Sequence, residues 1–188
     1  MRSAPRKVSD EQELYAAALR ALTRRAHSTF EMRTYLERRA EDAELARRIV
    51  NRLKQENLID DGRYALEFAR LRANLRRQGR HRIARELRTR GVPDRHIEAA
   101  LEQVFAETDE ALLVRKVIER RLRLASKGGA EARGADANLD AKKIASLYRA
   151  LMRSGFDAAL IRREIEAATR ATAADAEAPD FAALEESS

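Results

Sequence analysis

The 188-residue sequence predicts an all-α fold, and three features predict it. Between Asp10 and Ala178 the only proline is Pro93, so helical runs meet few breaks. Three of the seven glycines (Gly128, Gly129 and Gly134) share one short stretch, which leaves few hairpin signals elsewhere. Apolar residues recur at helical spacing along most of the chain. Charged residues make up 37% and aromatic ones 5%, with no Trp. The core is therefore aliphatic, and much surface is exposed per residue. Small modules or an elongated shape fit this better than one large sphere.

Residues 1–9 read as a basic flexible tail. A first helix starts near Asp10 with Leu14, Tyr15, Ala18, Leu19 and Leu22 on one face. His27-Ser28 ends it, and Ser28-Thr29-Phe30-Glu31 is a capping box for the second helix. Met32 and Leu36 lie one turn apart on that helix. A third helix from about Asp42 turns Leu45, Ile49, Val50 and Leu53 inward. Asp60-Asp61 caps a fourth helix, whose expected core seam is Tyr64, Phe68, Leu71 and Leu75. Gly79 is expected to stop this helix. Ile83 and Leu87 mark a shorter helix ending at Gly91, and Pro93 suits the first turn of the next, with Ile97, Leu101 and Val104 inward. A seventh helix spans about 108–125 with Leu113, Val114, Val117 and Leu124 inward. Two more helices follow, near 140–154 and 157–169.

One internal repeat stands out. Ile83–Leu87–Gly91–Val92–Ile97–Leu101 aligns with Leu147–Leu151–Gly155–Phe156–Ile161–Ile165 at identical intervals. Its physical content is a short helix, a left-handed glycine cap, an apolar residue folding back, and a second helix facing the first. The first group follows loosely through Met32–Leu36–Ala40, with Ala in place of Gly, so its turn should differ. The expected organisation is three-helix modules at 10–59, 60–106 and 107–170, the last with a flexible loop at 126–138. An acidic disordered tail at 171–188 completes it.

The absence of Cys excludes disulfides, thiol nucleophiles and Cys-ligated zinc. His27, His81 and His96 are scattered without metal-ligand spacing, and no P-loop motif occurs. Asp60-Asp61 stands at a helix start, where capping and the helix dipole account for it. His27 reads as a structural turn residue. The chain is thus expected to be a non-enzyme that needs no cofactor or metal. No apolar run is long enough to span a membrane, and no targeting signal is visible, so a cytoplasmic location without membrane partners is expected.

Charge gives the strongest functional signal. The formal net charge is +7. Residues 171–188 hold five acids and no base, which leaves 38 − 26 = +12 on residues 1–170. Residues 63–90 contain ten Arg against Glu67 and Glu86. Arg70, Arg76, Arg77, Arg80, Arg82, Arg85 and Arg88, with Arg90 beside them, form the candidate partner- or DNA-binding corner. Arginine forks suit phosphate and carboxylate. Single- and double-stranded DNA, bound weakly and without sequence preference, or an acidic protein surface would fit this corner.

Several stretches resemble the RecX family. Arg24-Arg25-Ala26-His27-Ser28-x-x-Glu31 followed by Leu36 is similar to that family's opening motif. Leu58-Ile59-Asp60-Asp61-x-Arg63-Tyr64-Ala65-x-x-Phe68 and Gly79-x-x-x-Ile83-x-x-Glu86-Leu87-x-x-x-Gly91-Val92 resemble the segments that follow. Coverage runs from about 11 to 169. Ala40 in place of a turn glycine, the long 126–138 loop and the acidic tail depart from the pattern. The resemblance implies three tandem three-helix modules in an elongated, curved repeat protein. It further implies binding along the RecA–DNA filament groove and inhibition of ATP hydrolysis, strand exchange and co-protease activity; a monomer is expected. Two alternatives stay open. One is a basic helical nucleic-acid-binding protein or helix-turn-helix regulator without a RecA partner, although Ala84 and Gly91 lie seven apart where that motif has four. The other is a helical scaffold for a different acidic partner.

Overall fold

The computed structural model describes residues 7–127 and 141–177. Among them it contains nine helices: α1 (Glu11–Arg24), α2 (Thr29–Glu37), α3 (Ala43–Gln55), α4 (Asp61–Asn74), α5 (Arg80–Thr89), α6 (Asp94–Glu107), α7 (Glu110–Lys127), α8 (Ala141–Arg153) and α9 (Ala158–Glu177). The extended pairing among the described residues is one isolated bridge, Val8 to Ala40. Its bonds run from the Val8 amide to the Arg39 carbonyl (2.8 Å) and from the Glu41 amide to the Val8 carbonyl (2.9 Å). Val8 is thereby tied down, where the sequence had suggested a flexible tail through residue 9.

Acidic side chains begin most of the helices. Asp10, Asp42, Asp60, Asp109 and Asp157 each accept a hydrogen bond from a free backbone amide in the first turn of the next helix. Such caps satisfy donors that have no partner inside the helix and place negative charge at the positive end of the dipole. Ser28 completes the predicted capping box with Glu31. Pro93 stands one residue earlier than expected, as the N-cap of α6 with φ −61°. Its carbonyl accepts from Ile97 (3.2 Å), and its missing N–H costs nothing there.

Two compact units make up the chain: Met1–Arg76 with Ile83–Thr108, and Arg77–Arg82 with Asp109–Ser188. In the first, α1, α2 and α3 pack on one another around Leu14, Ala18, Met32, Leu36, Ile49 and Leu53. Helix α4 packs against α6. The buried positions there are Ala65, Ala69 and Ala73 on α4 and Ile97, Ala100 and Val104 on α6. In the second unit α7, α8 and α9 pack mutually, burying Val114, Ile118, Leu147, Leu151, Phe156 and Ile161. Ile118 takes the inward place expected of Val117, which is half-buried. Leu124 lies outside the residues whose side chains are described.

The repeat is visible atom by atom. Gly91 and Gly155 both occupy the left-handed region, at φ +68° and +85°. The next amide returns to the third-last carbonyl of the helix in each case: Val92 to Leu87 (3.2 Å) and Phe156 to Leu151 (3.4 Å). An added Cβ at Gly91 would come 2.4 Å from Phe30, so glycine is required for space as well as for φ. At Ala40 the amide reaches Leu36 directly (2.7 Å) with no left-handed residue, the different turn expected there.

Three boundaries move. Helix α4 ends at Asn74, so Gly79 does not stop it. Gly79 instead lies just before α5, where its amide donates to the Ser154 carbonyl (2.9 Å) and a Cβ would meet the Gly155 carbonyl oxygen at 2.3 Å. Helix α9 continues to Glu177, well into the stretch expected to be a disordered tail, because its alanines sustain the helix. Helix α7 runs to Lys127, past the expected start of the loop. Residues 128–140 and 178–188, on which the rest of the loop and tail expectations fall, lie outside the described residues.

Candidate functional site

The seven arginines of the expected corner divide between the units. Arg70, Arg76, Arg85 and Arg88 belong to the first, and Arg77, Arg80 and Arg82 to the second. Several already have internal partners. Arg70 pairs with Glu107 (3.5 Å) and Arg88 with Asp94 (2.7 Å). Within the second unit Arg80 pairs with Glu110 (3.2 Å), and Arg82 donates to the Arg153 carbonyl (3.2 Å). Arg77 is half-buried in a left-handed backbone conformation, φ +50°. Arg76 and Arg85 are exposed and form no ion pair among the described residues. The run of guanidiniums in the sequence is thus partly spent on the fold, because Glu and Asp on neighbouring helices meet it.

A denser cluster surrounds Glu31 in the first unit. Its carboxylate lies 2.6 Å from Arg90 and 2.9 Å from Arg25, with its side chain 17% exposed. The Ser28 amide donates to it (3.3 Å) and the Tyr64 hydroxyl reaches it at 3.4 Å. The Ser28 hydroxyl donates to the Arg90 carbonyl (2.6 Å), and the Thr29 amide donates to Asp61 (2.8 Å). The start of α2, the start of α4 and the turn after α5 are joined in one network. Burial alone would raise the Glu31 carboxyl pKa. Hydrogen bonds from Arg25 and the Ser28 amide, with the charges of Arg25 and Arg90, outweigh it and hold the group below the ordinary glutamate value. Burial, helped by the Arg25 charge, lowers the His27 imidazole. Its Nδ1 sits 2.9 Å from the Arg25 carbonyl, the structural turn role read from the sequence. Asp60 is held low chiefly by the Arg63 amide, as befits a cap.

Helix α4 departs from expectation in a way that creates a surface. The expected seam is Tyr64, Phe68, Leu71 and Leu75, yet the fully buried stripe is Ala65, Ala69 and Ala73, roughly a third of a turn away. Small alanines let α6 approach closely, and this packing wins over the larger side chains. Tyr64 remains buried, Phe68 is half-buried, and Leu71 and Leu75 are 52% and 73% exposed. They line an open groove of about 670 Å³ with Arg25, Ala26, Tyr64, Glu67, Phe68, Arg70, Asn74 and Arg90. Arg72 and Arg90 place guanidiniums over the Phe68 ring at 4.8 and 5.0 Å, and Tyr64 stacks on it at 6.1 Å. Sequence reasoning assigned these leucines to the core. The signal against that was the competing i, i+4, i+8 alanine stripe on the same helix.

Among the described residues, no three His, Asp or Glu side chains converge as a metal site. None of the described helices is long and apolar enough to cross a membrane.

Comparison with known proteins agrees with this architecture. Residues 15–53 match the first three-helix domain of RecX, and residues 60–101 match the second. The regulatory protein RecX of Halorhodospira halophila is 38% identical over 152 residues, covering 81% of this chain and 86% of that protein. That of Trichlorobacter lovleyi is 34% identical over 157 residues, covering 82% and 94%. The crystal structure of RecX from Lactobacillus salivarius superimposes with a TM-score of 0.67 over 83% of this chain and 94% of that one. At 21% identity it shows a shared fold. With the capping box, the paired glycine turns and identity of 34–38% over most of the length of two relatives, the chain belongs to the RecX family of regulatory proteins.

Proposed function

We propose that the chain is a negative regulator of the RecA recombinase, acting in the cytoplasm as a monomer. It binds along the groove of the RecA–DNA filament and inhibits ATP hydrolysis, strand exchange and co-protease activity. The observation that carries this reading is family membership over most of the chain's length. Regulation by binding rather than by catalysis agrees with the roles found for its polar clusters, where Asp60, Glu31 and His27 serve caps and turns.

The net charge of +12 on residues 1–170 supports a contribution from DNA phosphates. Arg76 and Arg85, exposed and outside ion pairs among the described residues, are the first candidates for phosphate contact. Arg70, Arg80 and Arg88 would exchange a carboxylate for a phosphate, a trade of similar partners with small net gain. Contact of this kind is independent of base sequence and weakens as salt rises.

The test is a salt titration of binding to single-stranded DNA and to the RecA filament formed on it. Wild type should prefer the filament. An Arg76→Glu/Arg85→Glu variant should lower the steepness of the DNA salt dependence by about two counterions. Equal affinity for filament and bare DNA would replace this reading with that of a basic nucleic-acid binder.

A further inference from the structure

We propose that the groove along α4 is a docking site for an acidic amphipathic protein helix, one presenting two apolar side chains a turn apart with carboxylates beside them. Leu71, in the last turn of α4, and Leu75, its C-cap, are four residues apart and stand well out of the core. A hydrophobic groove beside a helix takes an amphipathic helix by its apolar anchors at i and i+4. Exposed leucines held side by side on a rigid element mark interaction surfaces, whereas scattered ones do not.

Charge selects the occupant. Three guanidiniums, from Arg25, Arg70 and Arg90, border the groove against the single carboxylate of Glu67. Arg25 and Arg90 share Glu31, and Arg70 meets Glu107 at one nitrogen, so each fork keeps further donors for an incoming carboxylate. A second copy of this chain would bring a like-charged groove, which disfavours symmetrical self-association. Nucleic acid fits less well. Bases bind by stacking on open aromatic faces, and the one ring with partial exposure here, Phe68, is already occupied by Arg72, Arg90 and Tyr64. Leucine side chains offer apolar contact without a stacking plane. This inference stands independently of the recombinase reading, since it concerns the chemistry of the groove alone.

The experiment uses the 188-residue chain labelled with ¹⁵N and a synthetic helical peptide of Leu, Ala and Glu with leucines at i and i+4. Saturable shifts should appear at the amides of Leu71, Leu75 and Arg90. A Leu71→Asp/Leu75→Asp variant should bind about tenfold more weakly or worse. Both side chains are exposed, so its dispersed spectrum should persist. If it does not, Arg70→Glu, a change at a half-exposed rim residue, serves in its place with the same expected loss. A control peptide with Lys for every Glu should leave the groove amides unmoved. Absence of saturable shifts, equal binding by the variants, or movement of the groove amides by oligothymidylate but not by the acidic peptide would each overturn the proposal.

Discussion

Replacing Glu31 should destabilise the first unit by an amount readable from its contacts. The short pair with Arg90, whose side chain is 30% exposed, contributes about 1–2 kcal/mol as a charge-assisted bond. The pair with Arg25, half in solvent, adds about 0.5 kcal/mol or less. Its half of the capping box adds about 0.5–1 kcal/mol. Glu31→Ala should therefore cost about 2–3 kcal/mol at neutral pH. Glu31→Gln keeps an acceptor for the Ser28 amide and the Tyr64 hydroxyl and should cost about half of that. Because the folded carboxyl titrates below its ordinary value, its contribution is complete above the unfolded pKa. It is lost as pH falls through the folded pKa. The gap between wild type and Glu31→Gln should thus begin to narrow as pH falls below the ordinary glutamate value of about 4.3 and close once pH is below the lower folded pKa, where both side chains are neutral. Urea titrations of the full chain, followed by far-ultraviolet circular dichroism at pH 7 and in acid, measure both effects. A Glu31→Ala variant within about 0.5 kcal/mol of wild type, or a gap unchanged in acid, would refute the reasoning.

Other outcomes follow from the same geometry. Gly155→Ala forces an L residue to φ +85° with its Cβ 2.3 Å from the Arg82 backbone nitrogen. A loss of about 2 kcal/mol or more is expected, read by thermal melting, and an unchanged melt would contradict the packing. Gly91→Ala should lose a comparable amount, through its φ of +68° and the approach of the new Cβ to 2.4 Å from the Phe30 Cβ, and an unchanged melt would contradict that too. The lowered His27 pKa means that the unfolded chain takes up a proton before the folded one as pH drops below about 6.5. Stability should decline over that window in wild type and stay flatter in His27→Gln, and identical slopes would remove His27 as the cause.

Capping and turn chemistry were legible because each rests on a few adjacent residues. Ser28 with Glu31, the Asp caps and the glycine at Gly91 and Gly155 all act through neighbouring backbone groups. Helix α4 was legible in its boundaries but not in its face. Leucine and phenylalanine spacing pointed one way, while close approach of α6 through alanine pointed another, and only three-dimensional packing decides between them. Gly79 shows the same limit, since the need for glycine there comes from the Gly155 carbonyl, far away in sequence. The arginine run announced positive charge correctly but could not reveal that Glu107, Glu110 and Asp94 would meet parts of it. The groove was hidden for a related reason: its apolar residues have core spacing, and exposure is a property of the neighbours they lack.

The most direct test of RecA regulation is the rate of ATP hydrolysis by RecA on single-stranded DNA while the 188-residue chain is titrated in. The account predicts inhibition at amounts well below one chain per RecA protomer, because one bound molecule acts on a filament of many. Undiminished hydrolysis at a molar excess of folded protein would contradict it.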